Sequence, residues 1–215
     1  VSASAPATGL TPITHGYTIG MYVNIDPSPL GGQKRFFYHI TSTSGSGGPQ
    51  PSREAWIEPS GELKVKEYGT SGGGNRHRVW HWNNFFSTYS GSMIHLAITR
   101  VNGAQSSSPP IVYVNGADLG NPGASGYHLD FANNPPDGTF HMFDDAGGGS
   151  DNFLGSMDNF VYFNRVFTTS ELVELFNEGV ILNPLAHSQA GATKLYHSFD
   201  SVSYTHLTLP TTKNV

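Results

Sequence analysis

A chain of 215 residues with 26 glycines, 14 prolines and only 13% charged side chains suits one large all-β domain, with many short strands joined by tight turns, and not a helical bundle. Its net charge of −5, with 11 Lys and Arg scattered singly or in twos, gives nucleic-acid binding no electrostatic footing. With no Cys, disulfide staples and thiolate zinc sites are excluded, and no apolar run reaches the ~20 residues of a membrane span. The ten His residues are spread along the chain and read as surface and strand histidines. The chain opens without an initiating Met or a secretory signal, so its N-terminus reads as the edge of a fragment.

Tyr17 to Ile25 alternates large apolar with small or polar residues, which predicts a strand with one face on a core. Asp26 to Gly32 is a turn cluster, and Arg35 to Ile40 is the next strand. Thr41 to Ser52 reads as a polar loop. Alternation returns in Glu54 to Glu58, Pro59-Ser60-Gly61 turns the chain, and Leu63 to Tyr68 is the hairpin partner. Gly69 to Asn75 reads as a second loop before the aromatic stretch Val79 to Phe86. Met93 to Arg100 and Ile111 to Val114 are strands, and Asn115-Gly116 is a two-residue hairpin signal because both residues tolerate positive φ. Phe140 to Phe143 and Asp158 to Phe163 complete the set. A helix follows: Thr168 and Glu171 form a capping box, Leu172, Leu175 and Phe176 recur at helical spacing, and Gly179 closes it. The pattern predicts an all-β antiparallel sandwich, a jelly roll with one short C-terminal helix.

The run Gly155 to Leu172 (a Gly-x-hydrophobic-Asp strand, an aromatic-Asn-Arg corner, a Thr-capped helix) resembles the closing signature of laminin-G-like and concanavalin A-like jelly rolls of the pentraxin type. Tyr17 to Val23 is similar to that family's early strand, and Met93 to Gly116 to its central hairpin. The resemblance covers roughly residues 10 to 180 and implies one sandwich domain over 1–180. Residues 181–200 are expected to be a linker with a closing strand, or the start of a following module. The tail 201–215 departs from everything before it. Its stretch Val202 to Thr211 resembles a translated transposon adapter from sequencing-library preparation, and the tail is left out of functional argument as non-native.

Three groups of residues invite chemistry. Asp144, Asp145, Asp151 and Asn152 sit on a Gly-rich loop where oxygens can converge on Ca²⁺, the cofactor this loop suggests; the alternative is a solvated acidic turn. The pentraxin resemblance implies that Asp145 and Asp151 or Asn152 fall near ligand positions, although the spacing differs. Asp158, by the same resemblance, organises a strand end through backbone hydrogen bonds. Trp80, Trp82 and Tyr89, with Phe85 and Phe86, form either a platform for sugar rings or part of the core, since a sandwich of this size needs large aromatics inside.

No Glu-x-Asp-x-x-Glu strand, Gly-x-Ser-x-Gly elbow, His-Glu-x-x-His or phosphate loop is present, so nothing recommends an enzyme. The expectation is a non-catalytic binding module of a larger extracellular, cell-surface or virion-surface protein. It would recognise carbohydrate or a surface partner through loops 41–52, 69–78, 103–110 or 144–152, alongside other domains of the same polypeptide. It would bind no nucleic acid and insert into no membrane. A structural or adhesive repeat is the alternative, and a polysaccharide hydrolase or lyase the more distant one.

Overall fold

Period-two alternation sorts the strands of this chain into two facing antiparallel sheets. The computed structural model describes residues 3–6, 16–42, 50–71, 74–100, 109–126, 139–143, 153–177 and 183–198. The strands are β1 (Ala3–Pro6), β2 (Tyr17–Ile25), β3 (Arg35–Ser42), β4 (Gln50–Ile57), β5 (Leu63–Ser71), β6 (Gly74–Trp82), β7 (Met93–Arg100), β8 (Ile111–Val114), β9 (Ala117–Asp118), β10 (Gly123–Gly126), β11 (Thr139–Met142), β12 (Gly155–Phe163) and β13 (Thr193–His197). Two helices, α1 (Phe85–Tyr89) and α2 (Thr169–Phe176), and two 3₁₀ turns complete the set. One sheet runs β1-β11-β3-β4-β5-β6-β10 and the other β13-β12-β2-β7-β8-β9. The fold is an all-β jelly-roll sandwich. No helix among the described residues is long and apolar enough to cross a membrane.

The core lies between the sheets. Ile19, Met21, Val23 and Ile25 of β2 and Leu96 and Ile98 of β7 pack with Phe37, Ile40, Ile57, Leu63, Val65 and Phe140 from the seven-stranded sheet. β2 is buried on both faces, and not on the one face its alternation suggested. The reason is α2, which lies against the outer face of the six-stranded sheet. Leu172 and Leu175 join Ala97, Tyr113, Val161, Phe163 and Phe167 in a second apolar cluster. Gly20 permits this approach, because a Cβ there would lie 2.7 Å from Leu175 Cδ2.

The capping box forms as read: Glu171 N donates to Thr168 Oγ1 (3.3 Å) and Thr168 N to Glu171 Oε2 (2.8 Å). The C-cap is Asn177 in the left-handed region (φ 46°), two residues before the expected Gly179, which lies outside the described residues. Asn115 (φ 52°) and Gly116 (φ 76°) make the tight turn between β8 and β9.

Other expectations change as well: β3 runs on to Ser42 and β4 begins at Gln50, inside the stretch expected as a loop. The segment expected as a loop around Gly69 to Asn75 is strand on both sides, with β5 and β6 paired out to Ser71 and Gly74. Ladder hydrogen bonds come from the backbone, so a polar stretch carries them as well as an apolar one. A second short helix, α1, also follows directly on β6. Near the end of the chain, β13 pairs with β12 and adds an edge strand to the six-stranded sheet.

Asp158 does organise backbone, but within a strand. Its Oδ1 accepts from Asn159 N (2.7 Å) at an irregularity in the β12–β2 register, where Asn159 takes φ 47°.

Candidate functional site

The turns after β2, β4, β6 and β9 gather at one end of the sandwich. Phe86 N donates to Gly61 O (2.9 Å) and Gly91 N to Ile25 O (2.8 Å), which ties the α1 segment to its neighbours. The chain leaves β6 at Trp82, reverses through Asn83 and Asn84 (φ 59°), and enters α1. Phe85 is buried there, and its ring lies 5.0 Å from that of Tyr89 one turn later. Thr88 Oγ1 donates to Asn84 O (2.8 Å).

Across from α1, the turn between β9 and β10 is held by Gly120 N donating to Asp118 Oδ1 (2.7 Å). Trp82 Nε1 donates to Gly120 O (3.0 Å), joining this turn to the end of β6. β10 then pairs with β6, with Gly123 opposite His81. The imidazole of His81 lies so close over Gly123 that a Cβ there would overlap it.

Between these parts is a cleft of about 230 Å³. The buried rings of Trp82 and Phe85 and the half-buried ring of Tyr89 supply its apolar part. His81, Asn83, Thr88 and Asn121 line it with an imidazole, two amides and a hydroxyl. Among the described residues that line it there is no carboxylate, ammonium or guanidinium. Such a cleft offers ring faces and edges to C–H surfaces and neutral donors and acceptors to hydroxyls, the pairing that a polar ring with apolar faces requires.

The aromatic residues singled out in the sequence therefore divide. Trp82 and Tyr89 line the cleft. Trp80 does not: it is 2% exposed, inside the core, with the Arg100 guanidinium 5.3 Å from its ring. Period two puts residues 80 and 82 on the same inward face, and only the strand's last residue reaches the rim. Trp82 itself is 6% exposed, so it offers no open stacking face.

His81, Asn83, Thr88, Leu119, Asn121 and Gly123 were not picked out as site residues. His81 had a signal, since it falls between two inward tryptophans and must point the other way. Nothing in the spacing of Asn121 or Gly123 announces a meeting with residues 40 positions earlier. Of the loops expected to recognise a ligand, 69–78 is largely hairpin and its described residues do not line the cleft, while 144–152 and most of 41–52 and 103–110 lie outside the described residues.

Asp144, Asp145, Asp151 and Asn152 lie outside the described residues. The residues flanking them, Phe143 and Phe153, are joined by Phe153 N donating to Phe143 O (2.8 Å), and Leu154 O accepts from Asp26 N (3.0 Å) at the same end of the sandwich as the cleft. Among the described residues no group of three or more His, Asp or Glu could hold a metal.

A further aromatic and charged cluster occupies the outer face of the seven-stranded sheet. Phe36 stacks on Trp56 at 5.6 Å, and Glu54 meets His39 (3.1 Å) and Lys66 (3.4 Å). Burial pushes the Glu54 carboxyl up, against the pull of Lys66. Trp56 is 5% and Glu54 6% exposed, so neither offers an open surface to a ligand.

Over residues 2–173 the sequence matches a family model, Laminin_G_3, described as the concanavalin A-like lectin/glucanases superfamily. The chain belongs to that superfamily. No curated protein matches this concanavalin A-like chain in sequence at a significant level. Among solved structures it is similar to the full-length tailspike protein 2 of Escherichia coli O157:H7 bacteriophage CAB120. That match has 14% identity and a TM-score of 0.55, and covers 93% of this chain and 25% of the other. It is also similar to the CBM40 of the Ruminococcus gnavus IT-sialidase, solved with α2,3-sialyllactose (11% identity, TM-score 0.53, 78% and 84% covered). The binding domain of botulinum neurotoxin serotype D matches at 9% identity and a TM-score of 0.52, with 80% of this chain and 38% of that one covered. The concanavalin A-like chain thus spans only part of the neurotoxin and tailspike structures. At these identities the likeness is one of fold, and function has to be argued from the site.

Proposed function

We propose that this domain is a non-catalytic carbohydrate-binding module, with its ligand seated in the cleft between β6, α1 and the β9–β10 turn. The supporting observation is that cleft's lining: Trp82, Phe85 and Tyr89 beside His81, Asn83, Thr88 and Asn121, all neutral hydrogen-bonding or ring groups. Binding is favoured over hydrolysis because glycosidic cleavage by a carboxylate pair needs two such groups flanking the bond, ~5–9.5 Å apart, and the described lining residues supply neither. The two buried carboxylates of the described core and sheet face are committed elsewhere, Glu67 to Arg100 and Glu54 to Lys66 and His39. Solved binding domains and a carbohydrate-binding module of the same fold add support. The setting we propose is a larger extracellular or virion-surface protein in which this module supplies attachment.

The test is calorimetric titration with neutral and acidic mono- and oligosaccharides, repeated on Tyr89→Ala and Asn121→Ala. Each variant removes one contact worth about 0.5–1.5 kcal/mol, so affinity should fall several-fold to tenfold. The melting temperature should hold in Asn121→Ala, an exposed position, and fall in Tyr89→Ala, whose ring also packs on Phe85. A folded protein that binds no saccharide in the panel would overturn the proposal.

A further inference from the structure

A second cleft, of about 300 Å³, lies on the other flank of α1. Consecutive residues of one short segment serve the two spaces: Asn83, Phe85, Thr88 and Tyr89 line the first, and Asn84, Phe86 and Ser87 the second. α1 is therefore the ridge between them. A helix is ~10–12 Å across with its side chains, so the clefts are separated by more than the width of one sugar ring.

The second cleft repeats the chemistry of the first. Phe86, half-buried, offers a ring, Leu30 and Pro59 add apolar surface, and Ser60, Ser87 and Asn84 carry hydroxyls and an amide. Its frame is fixed from behind by Arg35. That guanidinium sits 5.1 Å from the Phe86 ring and donates to the carbonyls of Asp26, Ser28 (2.7 Å) and Pro29 (3.4 Å). With its donors committed to the β2–β3 turn, and the residue buried, Arg35 holds the Leu30 wall in place and does not receive an anion. Ser60 Oγ donates to Glu62 Oε2 (3.1 Å), and Glu62 and Glu58 share the Lys64 ammonium (3.6 and 3.4 Å), so two carboxylates and one cation stand beside this cleft. No Lys or Arg is among the described residues that line either cleft.

We infer that the ligand is a neutral glycan of at least three sugar units that crosses α1 and occupies both clefts. This rests on the carbohydrate reading above and adds to it a length and a charge. A single sugar fills only the first cleft. An acidic glycan meets no Lys or Arg among the described residues lining either cleft, and beside the second the carboxylates of Glu58 and Glu62 outnumber the single ammonium of Lys64.

The experiment uses neutral oligosaccharides of glucose, galactose, mannose and N-acetylglucosamine from one to six units, with uronic-acid and sialylated oligosaccharides as the charged set. Affinity is measured for the wild type, Ser87→Trp and Ser60→Trp. Both serines are exposed, and an indole at either fills the second cleft; melting curves confirm that each variant is folded. For a neutral series that binds, affinity should rise tenfold or more beyond the single sugar, and both variants should return the longest member to the affinity of the shortest. Affinity independent of length, a gain that survives both variants, or preference for the charged set would overturn the inference and leave the first cleft as a single-sugar site. No binding of any saccharide by the wild type would overturn the carbohydrate reading, and this inference with it.

Discussion

Glu67 on β5 and Arg100 on β7 meet across the sandwich at 3.0 Å, and neither side chain is exposed. The other carboxylate oxygen of Glu67 accepts from Tyr17 Oη at 2.6 Å. Arg53 donates to the Tyr162 hydroxyl and lies 4.1 Å from the Tyr17 ring. Each of these contacts joins one sheet to the other, so the polar end of the core is pinned in one geometry. Removing one member of a buried pair strands the other charge, at a cost of about 3–5 kcal/mol. Arg100→Met should therefore unfold at markedly lower urea. Tyr17→Phe, which removes only one donor, should lose about 1–3 kcal/mol. Chemical denaturation of the two variants checks the order, and equal losses would mean that the ion pair is not the larger contribution.

His95 gives the fold an acid sensitivity. Its ring is buried under α2, 4.8 Å from Tyr22 and 6.0 Å from Phe176, and Nδ1 has no hydrogen-bond partner. Burial pushes its pKa down to about 3 from the ordinary 6.5. Because the unfolded chain takes up the proton first, this group's contribution is fully present above pH 6.5 and is lost as pH falls toward 3. Between those ordinary conditions and about pH 5 the loss is about 2 kcal/mol. In His95→Phe that share of the pH dependence should vanish. Thermal melts of both proteins from pH 7 to pH 5 measure it, and parallel slopes would remove His95 as the cause.

The bare Cα of Gly123 is what lets the His81 imidazole lie where it does. Gly123→Ala should push the ring aside and weaken saccharide binding severalfold. Stability should change little, since Gly123 is exposed and the atoms that must move belong to a half-buried side chain. Titration beside a melting curve separates the two effects. A loss of stability matching the loss of binding would show that the His81–Gly123 contact is structural.

The acidic run from Asp144 to Asn152 carries a calcium proposal on its residue types. Millimolar Ca²⁺ should raise the melting temperature, EDTA should reverse the rise, and Asp145→Ala should abolish it, because a ligand bound only by the folded state stabilises it by mass action. An unchanged melting temperature would dispose of calcium here.

What the amino-acid order determined by itself was whatever depends on near neighbours. Alternation in Tyr17 to Ile25 and Met93 to Arg100 specified strands, positive-φ tolerance at Asn115-Gly116 specified the turn, and Thr168 with Glu171 specified where α2 begins. Each is settled by hydrogen bonds or side-chain directions within a few residues, so each was legible. Sheet order was not, and the clefts depend on it. Trp82 meets Gly120 and His81 meets Gly123 only because β10 adds to the edge of the sheet beside β6. Arg53, Glu67 and Arg100 are buried because each finds a partner on the opposite sheet, which no near neighbour in the chain announces. Trp80 and Trp82 read alike in sequence, and only the end of a strand separates a core residue from one at the rim of a cleft.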